Sequence, residues 1–272
     1  MCGPYVHTKE SLIMSTLTTG TYEKYGASYK TLTLTDGEYA FTVTPEKGGM
    51  ATSFTKNGDE YLWLRDKNFE STDRPRCGIP ILFPNCGKPD DGVHHFNGAA
   101  YPIEVHGLAD LVPWQVKSAD DTAIELTLTP NGLTKFVYPF DFAFTVTQEL
   151  SGRTLTITWN VENTGDDDMY FSVGGHPAFM IPEQYDIVFN KGLENHTETE
   201  LEYVLIDPET AGVDAAHPRK LKLQDGRIPY TRTLFDEDAL IFDNTQVERV
   251  GVEVDGKPYV TLTCKGFPSV GV

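Results

Sequence analysis

Residues 140–161 read FDFAFTVTQELSGRTLTITWNV. Phe140, Phe142, Phe144 and Val146 alternate with Asp141, Ala143, Thr145 and Thr147. Beyond the break at Gly152, Leu155, Ile157, Trp159 and Val161 alternate with Thr154, Thr156, Thr158 and Asn160. A period of two sets one apolar face against a core and turns a polar face away from it. Shorter runs of the same kind lie at 29–34, 39–44, 60–64, 124–128, 185–189 and 259–264, and Met169–Val173 also reads as a strand. Gly165 and Gly256, with polar neighbours, punctuate these runs as turns do. Threonine is abundant, and no amphipathic helical segment of ten residues stands out, which agrees with β propensity.

Many strands and short turns make a sandwich or barrel. At 272 residues the strands should number about fifteen or more. A small eight-strand barrel would leave half the chain unused, whereas two large packed antiparallel sheets use all of it. No composition shift marks a linker and no repeat is visible. The expectation is one all-β domain over 21–272, preceded by a poorly ordered N-terminal extension over 1–20.

The chain has 22 Lys and Arg against 40 Asp and Glu, a formal net charge of −18. That field repels phosphate backbones and argues against nucleic acid as a partner. No apolar run approaches the ~18 residues that a membrane helix needs. The first residues lack the basic start and apolar run of a secretory signal. Cys2, Cys77, Cys86 and Cys264 are few and widely spaced, with no C-x-x-C pair, so thiols in a reducing compartment are the simplest account. A cytoplasmic protein, monomeric or weakly dimeric, is expected.

One region breaks the pattern. Residues 65–110 are dense in glycine and proline yet hold bulky apolar side chains, three histidines and two neighbouring arginines. Proline fixes φ and glycine allows close approach, so this is a rigid irregular path of the sort that lines sites. His106 lies in EVHGLAD and His176 in FSVGGHPAF, just past a strand-like run. A neutral imidazole near its pKa can give and take a proton at pH 7. His94 and His95 are adjacent and expected to face solvent, without ligand spacing for a metal. His7, His196 and His217 sit in polar surroundings and read as surface residues. Arg74 and Arg76 suit hydroxyl, carboxylate or phosphate recognition, with Lys88 a further candidate phosphate ligand. Asp238, in FDEDALIFDN, can accept bonds from sugar hydroxyls. Nucleotide-cradling loops and the serine-hydrolase elbow are missing.

Taken together, RCGIPILFPNCGK at 76–88, GAAYPIEVHGLA at 98–109, SVGGHPAF at 172–179 and the weaker DALIF at 238–242 resemble the aldose 1-epimerase, or galactose mutarotase-like, family. The resemblance runs from about residue 28 to the end. It implies a β-supersandwich of large antiparallel sheets, a small-molecule sugar substrate, and interconversion of α and β anomers without cofactor or metal. It casts His176 as the acid at the ring oxygen and His106 as a hydrogen-bonding partner near that oxygen. Arg76 and Asp238 would bind sugar hydroxyls, while Phe83, Tyr101 and Phe179 would wall the pocket. The family's general base, a glutamate in an acid-Pro-Trp type motif on a late strand, has no counterpart before Val272. The expectation is a chain lacking its C-terminal segment, with Glu104, Asp110 and Glu183 as conceivable substitutes. Adding about 20–30 residues of tail should then restore anomerisation measured by polarimetry.

A free hexose is favoured as substrate. A hexose 6-phosphate, or non-catalytic carbohydrate binding on the same scaffold, are the alternatives. A glycoside hydrolase needs two carboxylates about 5–10 Å apart, and histidines hold the distinctive positions instead.

Overall fold

The computed structural model describes residues 15–24, 27–65, 74–193 and 199–272. Cys2, His7 and His196 lie outside them, as does the expected extension over residues 1–14. The chain forms two compact units, 1–84 with 107–180 and 85–106 with 181–272. Among the described residues all regular structure is antiparallel strand, apart from three single-turn 3-10 helices.

The first unit opens with β1 (Thr16–Lys24), β2 (Ala27–Asp36), β3 (Tyr39–Thr44), β4 (Met50–Lys56) and β5 (Asp59–Glu60), hydrogen-bonded in that order. Residues 16–20, expected within a poorly ordered extension over 1–20, are strand instead. Thr16–Gly20 pair with Thr31–Thr35, and the β-branched threonines on both strands suit a pleated backbone. After β6 (Ile81–Leu82), the chain enters the second unit for the hairpin of β7 (Val93–Phe96) and β8 (Ala99–Pro102). It returns as β9 (Gln115–Ala119), β10 (Ala123–Leu128), β11 (Phe142–Ser151) and β12 (Thr154–Asn163). These form a four-stranded sheet in the order β12-β11-β10-β9, and β13 (Gly174–Gly175) pairs with β6.

The second unit continues with β14 (Asp186–Phe189), β15 (Glu200–Tyr203), β16 (Arg219–Lys222) and β17 (Arg227–Pro229). Then come β18 (Ile241–Asp243), β19 (Arg249–Val254), β20 (Lys257–Thr263) and β21 (Ser269–Gly271). Its main sheet runs β17-β14-β19-β20, with two-stranded ladders β15–β16 and β18–β21. Ile187, Phe189, Leu201, Phe242 and Val247 are the centre of its core. Glu253, 3% exposed, is matched there by Lys191 and Arg227, so the buried carboxylate has two cations.

The 140–161 stretch behaves as its alternation predicts. Phe142, Phe144, Val146 and Leu150 of β11 are buried, and β12 exposes its threonines while half-burying its apolar residues. Around them Phe83, Tyr138 and Trp114 complete an aromatic core with ring centroids about 5 Å apart. Each such burial contributes roughly 1.5–3 kcal/mol. The buried Tyr138 hydroxyl donates to the Tyr170 carbonyl at 2.9 Å, which removes the cost of leaving it unpaired.

Met169–Val173 is not a strand. Only Gly174 and Gly175 find ladder partners, and the preceding segment is held by single bonds such as Ser172 N–H to the Pro84 carbonyl at 2.8 Å. Alternation makes a strand only where an edge is offered to it.

Three segments of the first unit close on one another through a ring of backbone bonds. Trp63 N–H donates to the Ala178 carbonyl, Ala178 N–H to Gly78, and Gly78 N–H to Trp63, each at 2.8 Å. Gly78 has φ +62, and a Cβ there would lie 2.2 Å from the Ala51 carbonyl oxygen. Only glycine meets both demands. Gly78→Ala should cost about 3 kcal/mol or more in thermal or urea unfolding. Gly256→Ala, at φ +71 with open space around it, should cost only about 1 kcal/mol. Equal losses would show that the close approach is unimportant.

Candidate functional site

His176 is placed by the β6–β13 ladder. Its N–H donates to the Pro80 carbonyl at 3.1 Å, and two residues on Ala178 joins the backbone ring. On one side of this segment Gly175 lies against the Trp159 ring, where a Cβ would meet an indole carbon at 3.2 Å. His176, on the alternate face, is exposed. Phe179 pairs across from Leu62, itself 1% exposed. Alternation thus turns the Phe179 ring to the face opposite His176, which removes it from the wall expected of it.

Phe83 also departs from expectation. It is fully buried, with Tyr138, Phe142, Phe144 and Phe171 around its ring, so no face is left for a sugar. Its role is architectural: its carbonyl accepts from both Leu108 and Ala109 N–H, at 2.8 and 3.1 Å.

The two arginines divide. Arg74 forms a short ion pair with Asp110, and its other terminal nitrogen donates to the Gly107 carbonyl at 2.7 Å. The side chains are 12% and 1% exposed, so Arg74 is held inside the fold and not presented to a phosphate. Arg76 is exposed. Asp110, offered as a substitute base, is equally enclosed, and its second carboxylate oxygen is buried with no hydrogen-bond partner. Burial pushes its carboxyl up to about 6, with Arg74 pulling the other way without cancelling the shift.

In the second unit His106 has φ +66 and is clasped by Gly87 twice. Its N–H donates to the Gly87 carbonyl at 2.8 Å, and Gly87 N–H donates to its Nδ1 at 3.0 Å. With Nδ1 accepting, the proton of the neutral ring resides on Nε2, and the imidazole is a donor from that atom. Asn85, 7% exposed, holds the same loop by donating to the Gly87 and Glu104 carbonyls at 2.7 and 3.2 Å. It stands in LFPNCGK without having been singled out; a polar residue inside an apolar run was the available signal. Lys88 is exposed.

Tyr101, half-buried, sits on β8 with its ring 6.0 Å from Phe96. His94, opposite Tyr101 in the hairpin, does not face solvent as expected. It is half-buried against Phe96, and burial lowers its pKa. Asp238 is exposed with φ +73, and its carboxylate accepts from the Ala239 N–H at 2.7 Å.

A cavity of about 480 Å³ in the first unit lies elsewhere, lined among others by Thr19, Thr21, Lys30, Glu46 and Trp114, and none of the candidate residues borders it. Among the described residues no cluster of three His, Cys, Asp or Glu side chains could hold a metal ion.

An antiparallel β protein with an exposed histidine at the end of a short ladder, and a second one clasped by a backbone amide, is the class these features define. The family described as Aldose 1-epimerase matches residues 30–258, and the chain belongs to it. The plasmid-encoded protein LacX of Lactococcus lactis subsp. lactis is 25% identical over 231 residues, covering 78% of this chain and 72% of that one. Among solved structures, a galactose mutarotase-like protein from Lactobacillus casei ATCC 334 superimposes with a TM-score of 0.74 at 23% identity. The match covers 89% of this chain and 81% of that one. A galactose mutarotase related enzyme from Lactobacillus acidophilus gives 0.69 at 22% identity, covering 88% and 74%. These two share the fold.

The Asp110 shift has a signed consequence. A carboxyl whose folded pKa of about 6 exceeds its ordinary 3.8 binds its proton more tightly in the folded state. Its contribution to stability is complete below about pH 4 and is lost as pH rises through about 6, a change on the order of 3 kcal/mol. Asp110→Asn keeps an acceptor for Arg74 without the ionisation. Relative to this variant, the wild type should lose stability between pH 4 and 7 in urea unfolding. Parallel pH profiles for the two would refute the assignment.

Proposed function

We propose that the protein is an aldose 1-epimerase acting on a free hexose, with His176 as the acid at the ring oxygen. The observation that carries the reading is His176 itself, fixed through its backbone by two neighbouring segments and exposed, in a chain of the aldose 1-epimerase family. The scaffold that goes with it is the β-supersandwich.

The chemistry follows from the proton inventory. A base takes the proton of the anomeric hydroxyl; with Asp110 enclosed, the exposed Glu104 and Glu183 are the acids left to supply it. His176 protonates the ring oxygen as the bond between C1 and that oxygen breaks, leaving an open-chain aldehyde. Rotation about the C1–C2 bond presents the other carbonyl face, and the steps reverse with acid and base exchanging duties. His106 supports this as a donor from Nε2, which suits an oxygen gaining negative charge. Arg76, Asp238 and Tyr101 are the proposed sugar contacts.

The engagement of Arg74 by Asp110 and Gly107 favours an unphosphorylated ligand over a hexose 6-phosphate. The acidic balance of the chain points the same way. A cytoplasmic location, and a monomer or weak homodimer, complete the proposal.

The decay of optical rotation of fresh α-D-glucose and α-D-galactose tests it. The protein should accelerate the decay, and His176→Ala should lower the acceleration by roughly 10² or more. Glucose should compete for binding where glucose 6-phosphate does not. A His176→Ala protein as fast as the wild type would end the assignment of the acid.

A further inference from the structure

Trp63 is the unexplained residue beside His176. It is 41% exposed, although its backbone is among the most firmly held in the first unit. Its N–H and carbonyl are both used in the ring with Ala178 and Gly78. Just before it, the Glu60 carboxylate accepts from the backbone N–H groups of Phe54, Tyr61 and Leu62 at 2.9, 3.1 and 2.9 Å, and from the Ser53 hydroxyl at 2.6 Å. A partly exposed indole on so rigid a mount is a preorganised apolar face that a ligand can use without ordering cost.

The pairing says where the ring lies. Buried Leu62 stands opposite half-buried Phe179, and bridge partners share a face. Trp63 and Ala178, next along each segment, share the other face. His176 precedes Ala178 by two residues, and the N–H groups of both point to the β6 segment, so its side chain belongs to that same face. A cross-strand diagonal neighbour is within reach of an aromatic side chain, at about 7–8 Å between backbones.

We propose that Trp63 is a sugar-stacking residue of the His176 site, its indole face covering the C–H face of a pyranose ring. This rests on the reading of the site as a hexose epimerase. An indole face is rich in electron density, and the C–H groups on one face of a pyranose present the complementary slightly positive surface. The match selects a neutral sugar ring with an unsubstituted face. It fixes the plane of the ring without contributing to proton transfer, so Trp63 governs affinity and orientation and His176 governs the chemical step.

The experiment is calorimetric titration of D-galactose and D-glucose into the full chain, with mutarotation measured on the same preparations. Trp63→Ala should weaken sugar binding, and raise KM where turnover is measurable, by about 10-fold. Trp63→Phe, which keeps a ring, should recover much of that loss. Leu133→Ala, removing an apolar side chain that is 81% exposed, should change nothing. His176→Ala should keep the sugar affinity while losing rate. Thermal unfolding should be nearly the same for all four variants. If Trp63→Ala binds sugar within twofold of the wild type, the stacking role is overturned and the epimerase reading survives. If the wild type neither binds nor interconverts either hexose, both fall together.

Discussion

The three-bond ring of Trp63, Gly78 and Ala178 is the constraint on which the placement of His176 in the first unit depends. Three chain segments far apart in sequence meet there, each using one donor and one acceptor on its neighbours. Such a closure leaves no orphan backbone group at a place where short strands would otherwise end. It works because Gly78 has no side chain: its α-carbon faces the Ala51 carbonyl too closely for any other residue. With the ring closed, the directions of His176 and Trp63 follow from strand alternation alone.

Much of this was readable from residue order, for a reason that also marks where reading stops. Alternation reports on long strands with one buried face, so β11 and β12 emerge clearly from 140–161, and Tyr39–Thr44 coincides with β3. Alternation does not report on whether a partner edge exists. Met169–Val173 has the composition of a strand and no ladder, whereas β6 and β13 are two residues each and still place the candidate acid. The irregular region 65–110 was recognisable as rigid from its prolines and glycines. Which of its side chains face inward was not, because that depends on bonds such as Arg74 to Gly107 that join distant residues.

The aromatic residues show the same limit. Phe83 and Phe179 were attractive as pocket walls because they stand beside the motifs, but proximity in sequence says nothing of parity. Phe83 is surrounded by four other rings, and Phe179 faces with Leu62. Trp63 lies in 60–64, an expected strand of which only Glu60 belongs to a ladder and Leu62 to an isolated bridge. Its signal was present in Glu60–Leu64, where Tyr61 and Trp63 alternate with Leu62 and Leu64 and both faces are apolar. Apolar residues at both parities mark an extended segment whose outer face is also open to apolar contact.

The arginines carry the last step. Arg74 and Arg76 are separated by one proline, and composition gives no ground for treating them differently. The structure divides them by what lies opposite. Arg74 meets a carboxylate that is almost wholly buried, and a buried carboxylate without a cation is far more costly than a surface arginine without an anion. The fold therefore claims Arg74 first, and withdrawing it toward a ligand would leave Asp110 to take up a proton or destabilise the 107–111 segment. Among the described residues exposed Arg76 has no such obligation. A single exposed guanidinium suits a pair of sugar hydroxyls, whereas a dianionic phosphate generally calls on several donors together. The burial of one acid thus decides which of two neighbouring arginines is left for a ligand.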